Sequence, residues 1–295
     1  MIRLLPEERN EVARYIYSLC SITLDASKDY LIEGRLNRLL EETGARSFTQ
    51  LVSRASAEPS GELKRRIVDE ITTGETLFFR DQSPFDLLRH KIIPEIVDRR
   101  DRGTLKLPIR VWSAACSTGQ EIYSIAIVLK ELLGDRSRCG VRLLGTDISD
   151  QAVARASAGV FGPVEVSRGL DDSTRTRYFV PHANGWRIRD EIRAMASFRR
   201  LNLMEDLASL GKFDIIFCRN VAIYFNDRDR ASLFNRIGQR MESDGCLVIG
   251  SMESLSGICP QFESKRHLRA VFYRLKAGLQ DDPASDRRVS RQCIP

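Results

Sequence analysis

The sequence predicts an α/β protein, in which a mostly parallel sheet is covered by helices on both faces and follows a small all-helical region. Residues 1–88 carry apolar side chains at helical spacing and show no strand pattern. From Leu107 onward, short apolar runs alternate with longer helical runs, which is the order expected of strands in a parallel sheet. A chain of 295 residues is long enough for two such folding units.

The helical region is predicted to contain several short helices. Pro6 precedes a run of apolar residues at helical spacing. The next helix is predicted to have Ser27 as its N-terminal cap and to end at Gly44. Further helices are expected to open at Ser47, at residues 59–61, and between Pro84 and Pro94.

The second unit is predicted to alternate strands with helices. The expected strands are residues 109–115, 141–147, 213–218, 246–251 and 270–276. The expected helices are residues 119–133, 150–156 and about 227–241.

One stretch, residues 159–197, interrupts this alternation. It is rich in glycine and proline and contains short alternating pieces, so we predict an inserted, largely β subdomain there. The predicted domains are therefore a helical domain with its linker at 1–88 and an α/β domain at 89–276. Residues 277–295 have little to bury and are predicted to form a disordered tail.

The composition argues against several classes of protein. The net charge of +6 is not concentrated in a basic arm, so nucleic acid is not favoured as a partner. The longest apolar run, Ile122–Leu129, is far shorter than the ~18 residues that a membrane-spanning helix needs. Acidic residues near the N-terminus argue against an export signal. We therefore expect a cytoplasmic protein that does not insert into a membrane.

Cysteine and histidine form no recognisable metal or redox motif. The seven cysteines are an odd number without a CxxC pair, which predicts reduced, packed thiols. The three histidines are far apart in the sequence. Local spacing therefore predicts no metal site.

A ligand site is expected where the first two strands end, because open parallel sheets bind ligands at the carboxyl ends of their strands. The first strand runs into the loop SAACSTGQE, and the second ends at Asp147. A carboxylate at that position can accept hydrogen bonds from both hydroxyls of a ribose and would repel a 2′-phosphate.

The loop after the first strand separates the candidate cofactors. It contains one glycine, Gly119, whereas a pyrophosphate needs several glycines for close approach of the backbone. Glu121, at the start of the helix, would repel an anion and attract a cation. This argues against NAD, FAD and ATP and favours S-adenosylmethionine, although Glu121 could instead simply complement the helix dipole.

A resemblance to a known family rests on three segments: ITTGETLFFRD (71–81), VWSAACSTGQEIYSIAI (111–127) and FCRNVAIYF (217–225). Weaker support comes from residues 145–149, 165–170, 177–179 and 198–203. Over residues 1–276 the sequence resembles the CheR family of chemoreceptor glutamate O-methyltransferases. The resemblance implies a class I S-adenosylmethionine-dependent methyltransferase domain, Rossmann-like, with an inserted small β-subdomain and a small all-α domain before it.

The resemblance also implies roles for individual residues. The implied cofactor-binding residues are Thr76, Arg80, Glu121, Asp147, Asn202, Leu203, Arg219 and Asn220. Arg80 and Tyr224 match the catalytic positions nearest the transferred methyl group. Taken singly, several of these have ordinary structural alternatives: Thr76 or Asn202 could cap a helix or turn, and Tyr224 could be a core aromatic.

The sequence departs from the family pattern near two of these residues. Gly74 stands where asparagine is common, and Gln120 and Ile122 replace the usual residues on either side of Glu121. These changes leave the expected charged residues in place and put the strength of cofactor binding in doubt.

The implied reaction needs no general base. A glutamate side chain with a pKa near ~4.3 is already ionised at neutral pH, so it can attack the methyl group directly. The expected products are a γ-methyl ester and S-adenosylhomocysteine.

The expected protein partners are the cytoplasmic helices of methyl-accepting chemoreceptors. Lys28, Arg35 and Arg38 lie along one side of the second helix and are candidates for binding an acidic receptor helix, unless they form an ordinary solvated face. Some family members also bind a receptor-tail peptide through a loop of the insertion. Here that loop, within residues 180–188, is short, so we expect no tail-peptide docking.

Two other functions stay open at this stage. One is a methyltransferase with another acceptor, such as nucleic acid, although the strand end RNVAIYF lacks the pattern expected for holding a flipped base. The other is a non-catalytic S-adenosylmethionine-binding sensor or scaffold of the same fold.

Overall fold

Four helices form the N-terminal part of the protein. The computed structural model describes residues 2–102, 108–134 and 140–276; the tail predicted to be disordered lies outside these ranges. The helices are α1 (Pro6–Cys20), α2 (Asp29–Thr43), α3 (Phe48–Ala57) and α4 (Glu62–Ile71). Apolar side chains from all four, including Ile16, Leu36, Leu51 and Ile67, pack into one buried cluster. An apolar stripe on each helix thus gives the region its own core.

The predicted helix ends are partly confirmed. Gly44, with φ +64°, ends α2, and the Ser47 side chain accepts a hydrogen bond from the backbone of α3. Ser27 does not cap α2 as predicted. It lies in a 3₁₀ turn, Ala26–Lys28, whose cap is the Asp25 carboxylate, and α2 begins only at Asp29.

One long helix joins the two parts of the chain. It consists of α5 (Gln82–Leu87), a wide π turn (Leu88–Ile92) and α6 (Ile93–Arg102). The sequence predicted that Pro84 and Pro94 lie on either side of this helix. Both instead lie inside it. Pro94 has no N–H, and its ring needs space against the preceding turn, which the wide turn supplies.

A seven-stranded sheet forms the centre of the second part. Its order is β6-β2-β1-β7-β8-β10-β9, and β10 runs antiparallel between β8 and β9 while the other pairs are parallel. The strands are β1 (Ile109–Ala114), β2 (Val141–Asp147), β6 (Ala196–Arg200), β7 (Phe213–Cys218), β8 (Met241–Ile249), β9 (Phe262–His267) and β10 (Ala270–Leu275).

Each predicted strand is found, and two further strands were missed. These are β6 and β9, the two edges of the sheet, whose side chains are mostly exposed and include arginines and lysine. Edge strands of this kind lack the apolar run from which a central strand is predicted. Strand β8 also begins at Met241, five residues before its predicted start at 246, through a polar stretch.

Helices cover both faces of the sheet, as predicted. The helices beside it are α7 (Gln120–Leu133), α8 (Asp150–Ala158) and α12 (Asp227–Gln239). Neighbouring residues of β1 belong to opposite buried clusters: Val111 to the one that contains Ile125 of α7, and Trp112 to the one that contains Leu233 of α12. None of the described helices is both long and apolar enough to cross a membrane.

The described cysteines are free and buried.

The insertion contains a three-stranded antiparallel sheet, ordered β3-β5-β4, and three short helices. Its elements are β3 (Val160–Phe161), α9 (Pro163–Ser167), α10 (Asp172–Tyr178), β4 (Phe179–His182), β5 (Gly185–Ile188) and α11 (Asp190–Arg193). It is therefore less β-rich than expected, since its helices hold more residues than its strands. Strand β6 of the main sheet begins at Ala196, inside the range given to the insertion.

The insertion holds the linker that precedes α5. Phe78 is fully buried, with its ring centroid 4.9 Å from that of Phe161 and 5.4 Å from that of Phe179. Gly169 has φ +103°, and a Cβ at this position would lie 2.0 Å from the carbonyl oxygen of Phe78. Only glycine therefore fits where the insertion backbone meets the linker.

We expect Gly169→Ala to lower the free energy of unfolding by about 2 kcal/mol or more, because a methyl group cannot fit against the Phe78 carbonyl. Gly34→Ala is the matched control. Gly34 lies within α2, and no atom lies within 4 Å of the position of a Cβ there, so alanine should raise the free energy of unfolding by ~0.5–1 kcal/mol. Urea unfolding measures both variants. A wild-type midpoint for Gly169→Ala would contradict the close approach.

Candidate active site

A cleft lies at the carboxyl ends of β1, β2 and β7, between the sheet and the linker. Its walls come from residues 72–77 and Arg80 of the linker, the loop after β1, the end of β2, and the segments that follow β6 and β7. This is the edge at which the sequence predicted a ligand site. The cleft brings together every residue that the resemblance implied as cofactor-binding or catalytic: Thr76, Arg80, Glu121, Asp147, Asn202, Leu203, Arg219, Asn220 and Tyr224.

A buried arginine, Arg219, joins two walls of the cleft. Its side chain is 2% exposed and follows directly after β7. Nη1 donates to the Glu121 carboxylate at 2.9 Å, while Nη2 donates to the Asp81 carboxylate at 2.8 Å and to the Arg80 carbonyl at 2.9 Å. The other oxygen of Glu121 accepts a hydrogen bond from the Ser113 hydroxyl at 2.8 Å. Glu121 is thus held in one orientation at the start of α7.

Asp147 ends β2 and is held by backbone groups. One carboxylate oxygen accepts from the Ser117 N–H at 2.8 Å and the other from the Ser149 N–H at 3.0 Å. Burial raises the pKa of Asp147, although these hydrogen bonds act in the opposite direction. Each oxygen keeps a further lone pair, so the carboxylate can still accept from a ligand hydroxyl.

The single glycine of the loop after β1 serves packing rather than phosphate binding. Gly119 has φ +96°, and a Cβ there would lie 3.0 Å from the Cβ of Ala156 in α8. Gln120, beside it, is buried and hydrogen-bonds to Thr118 and Glu165. Gln120, which departs from the family pattern, therefore has its side-chain amide hydrogen-bonded within the protein.

The linker contributes backbone as well as side chains. The Ser117 hydroxyl donates to the Gly74 carbonyl at 2.8 Å, so the segment with Gly74 lies directly on the loop after β1. Arg80 Nη1 donates to the Glu75 carbonyl at 3.1 Å. Within the described part of the chain, the Arg80 guanidinium forms no ion pair with a carboxylate, although it lines the cleft.

The helical domain closes one side of the cleft. Asn202 Nδ2 donates to the Leu19 carbonyl at 3.1 Å, and its Oδ1 accepts from the Met204 N–H at 3.0 Å. The Tyr224 carbonyl accepts from the Thr23 N–H at 3.0 Å. The Asn202 side chain therefore has structural contacts of its own, as the capping alternative expected, and it still lines the cleft.

The three candidate receptor-binding cations lie outside the cleft. Arg35 donates to the Ile71 carbonyl at 2.6 Å and to the Thr73 hydroxyl at 3.0 Å, so it holds the end of α4 and the start of the linker. Arg38 pairs with Glu42 and Glu70, and Lys28 Nζ lies 3.6 Å from Asp25. Arg38 is the most exposed of the three, with 63% of its side chain accessible.

Two residues in the hydrogen-bond network of Arg219 and Glu121 had no role predicted from the sequence: Asp81 and Ser113. Asp81 stands at the end of the segment 71–81 that carried the resemblance, and only the structure shows its contact with Arg219. Ser113 could have been suspected, because it is a polar residue within the fully buried second half of β1. Among the described residues, no group of three or more His, Cys, Asp or Glu is arranged to hold a metal ion.

These residues fit S-adenosylmethionine. Asp147 offers acceptors for ribose hydroxyls, and Glu121 offers a carboxylate for an ammonium group. The loop between β1 and α7 has one glycine, which packs against Ala156 instead of opening a cradle for phosphate. A zwitterionic ligand without phosphate matches this charge pattern.

Comparison with known proteins gives one family for both parts of the chain. Residues 74–270 match the family described as "CheR methyltransferase, SAM binding domain", and residues 7–72 match "CheR methyltransferase, all-alpha domain". The predicted fold class and the predicted cofactor, S-adenosylmethionine, are thereby confirmed.

Similar curated proteins carry names of one kind. The chain is 38% identical to "Chemotaxis protein methyltransferase Cher2" of Pseudomonas putida over 89% of this chain and 95% of that protein. It is 37% identical to "Chemotaxis protein methyltransferase 1" of Pseudomonas aeruginosa, again over 89% and 95%. It is 36% identical to "Chemotaxis protein methyltransferase" of Vibrio parahaemolyticus over 93% and 99%.

We expect binding of S-adenosylhomocysteine to weaken as the pH falls, because protonated Asp147 loses acceptor capacity for the ribose hydroxyls. Burial raises the pKa of Asp147, so the loss should begin above the pH at which an ordinary aspartate, with a pKa of 3.8, is protonated. Calorimetric titrations over a pH series measure the effect. In Asp147→Asn the affinity should be low and should lack this pH dependence; the wild-type pH profile in that variant would assign the effect to another group.

Proposed function

We propose, since the chain belongs to the CheR methyltransferase family, that it transfers the methyl group of S-adenosylmethionine to glutamate side chains of membrane chemoreceptors. The product is a glutamyl γ-methyl ester, formed on the cytoplasmic helices of the receptor. The observation that carries this proposal is the charge pattern of the cleft: acidic Glu121 and Asp147 on its walls, and in the linker the Arg80 guanidinium, which pairs with no carboxylate of the described residues. A donor with a positive sulfur and an acceptor with a negative carboxylate match these two features.

The acceptor carboxylate is its own nucleophile. It is ionised at neutral pH, so no side chain has to remove a proton from it. In keeping with this, no histidine is found among the described residues that line the cleft. The enzyme's contribution is to hold the reacting groups in line and to exclude water from two opposite charges.

Arg80 and Tyr224 are the residues that aim the acceptor. Both line the cleft, and Tyr224 lies in a short 3₁₀ turn, Ala222–Tyr224, directly after β7. In the described part of the chain, neither the Arg80 guanidinium nor the Tyr224 hydroxyl is hydrogen-bonded to a carboxylate of the protein. Each can therefore donate to a carboxylate that enters the cleft, and together they orient one of its oxygens.

When bound, S-adenosylmethionine supplies an electrophilic methyl group on a positive sulfur. An acceptor carboxylate oxygen held by Arg80 and Tyr224 would form a C–O bond to this methyl group as the C–S bond broke, with the electron pair of that bond left on sulfur. The reaction removes the positive charge of the sulfonium and the negative charge of the carboxylate together. Arg80 must therefore bind the carboxylate without giving it a proton, and a guanidinium does so because it stays protonated.

Receptor recognition is proposed to involve the exposed side of α2. Arg35 is a poor candidate for a free receptor contact, since its guanidinium is bonded to the end of α4 and to Thr73. Arg38 is the better one because most of its side chain is accessible. The β4–β5 turn is two residues long, Ala183 and Asn184, and we propose no tail-peptide docking there.

We expect Arg80→Ala to lower kcat by at least about tenfold, ~1.4 kcal/mol of barrier, because the acceptor carboxylate loses its positioning cation. The measurement is transfer of a tritiated methyl group to receptor membranes, counted as base-labile label. Arg168→Ala is the matched control, since this half-exposed arginine contacts the same linker through Glu75 and does not line the cleft.

The same assay separates the alternatives. Base-labile label means an ester, as proposed. Base-stable label would mean a different acceptor, and no label with intact cofactor binding would mean a non-catalytic module. A loss of less than tenfold in Arg80→Ala would remove Arg80 from the mechanism.

We expect Arg38→Glu to raise the KM for receptor about two- to fivefold without changing the affinity for S-adenosylhomocysteine, since an exposed charge contributes little and acts at a distance from the cleft. The effect should shrink at higher salt. Arg14→Glu is the control, since Arg14 is an exposed arginine of α1 whose Nε donates to the Asn10 carbonyl. Equal KM values for both variants would exclude this side of α2 as a receptor contact.

A further inference from the structure

We propose that Asp81 is a positioning residue that keeps Glu121 available for the ammonium group of the cofactor. Asp81 is not among the described residues that line the cleft; it acts through Arg219. The inference rests on the proposed binding of the cofactor's amino-acid end to Glu121.

Asp81 changes the net charge of the group that contains Glu121. Glu121 and Arg219 alone would form a neutral ion pair, with Nη1 and the carboxylate 2.9 Å apart and the arginine 2% exposed. A neutral buried pair has little attraction for a further cation. Asp81 binds the same guanidinium through Nη2 at 2.8 Å, so two carboxylates share one positive charge. The cluster of Asp81, Glu121 and Arg219 therefore carries a formal charge of −1, which the ligand ammonium balances.

The hydrogen bonds of Arg219 also fix the orientation of Glu121. Nη2 of Arg219 is fixed by Asp81 and by the Arg80 carbonyl, which leaves Nη1 to hold Glu121. Nε of Arg219 has no partner among the described residues, so these contacts alone set the plane of the guanidinium. With Ser113 on its other oxygen, Glu121 is fixed with lone pairs left for a ligand.

The backbone at position 81 suits a clean substitution. Asp81 has φ +57°, a conformation that aspartate and asparagine adopt more readily than most residues. Asparagine can also accept a hydrogen bond from Nη2 through its amide oxygen. Asp81→Asn therefore removes the charge while keeping the shape, the backbone and the contact.

The test compares two ligands that differ only at the amino-acid end. S-adenosylhomocysteine carries the ammonium group together with its carboxylate, whereas 5′-methylthioadenosine has the same nucleoside and thioether without either group. Calorimetry on the full chain should show Asp81→Asn binding S-adenosylhomocysteine about tenfold more weakly, as loss of one nearby charge predicts at the effective dielectric of a protein cleft. Its affinity for 5′-methylthioadenosine should stay within about twofold of wild type.

Glu95→Gln is the matched control. Glu95 is also 39% exposed at its side chain and pairs with an arginine, Arg274, at 2.7 Å, but it lies on α6 away from the cleft lining. The Glu95→Gln variant should bind both ligands with the affinity of the wild type. A general loss of negative charge would instead weaken S-adenosylhomocysteine in both variants, which would overturn the proposal.

Two further results would overturn it. Equal weakening of both ligands in Asp81→Asn would mean that the substitution distorts the whole cleft, and unchanged binding of both would mean that Asp81 has no influence on Glu121. A wild-type protein that bound 5′-methylthioadenosine as tightly as S-adenosylhomocysteine would remove Glu121 from the proposed site altogether, and the proposed function would lose its main support as well.

Discussion

The buried guanidinium of Arg219 is the interaction on which the cleft depends. It follows β7, and its contacts reach the first turn of α7 through Glu121 and the linker through Asp81 and the Arg80 carbonyl. A cation with 2% of its side chain exposed is stable only when its charge is compensated, so these elements cannot separate without a large electrostatic cost. One ion-paired side chain thereby ties three chain segments that are far apart in the sequence.

The cleft is also built from unusual backbone. Five residues other than glycine near it have positive φ: Phe79, Asp81, Ala115, Ser117 and Asn220. Such conformations persist when surrounding contacts over-determine them. Here the Ser117 N–H bonds to Asp147 and the Asn220 N–H to Glu253, while Phe78 anchors the linker in the insertion. The strained segments are thus the ones that place charged groups around the ligand site.

The sequence predicted the parts of the fold that carry strong local patterns. Strands β1, β2 and β7 are largely apolar runs with most of their residues buried, so their composition alone predicts strands. The edge strands β6 and β9 and the short helices of the insertion have polar, exposed sequences, and their conformation is decided by neighbours in space. The two carboxylates proposed to meet the ligand could be predicted because Glu121 opens the helix after β1 and Asp147 ends β2, within a chain of net charge +6.

Contacts between distant residues explain what the sequence could not predict at the site. Asp81 meets Arg219 across 138 positions, and Arg35 meets the Ile71 carbonyl across 36, so neither partnership leaves a local signal. The periodicity of α2 placed Arg35 on a candidate binding face, whereas its guanidinium holds α4. For Arg219 and Asn202, the resemblance to a known family supplied candidate roles that spacing alone could not.

The hydrogen bonds between the helical domain and the cleft wall bear on how this protein could be divided. Asn202 is bonded to Leu19, Tyr224 to Thr23, and the Tyr17 hydroxyl to Asp229 at 2.7 Å. A fragment cut at the start of the linker would keep the whole sheet and still lose the side of the cleft that these contacts support. The all-helical segment therefore supports one wall of the cleft, and the two units should be expressed and engineered as one piece.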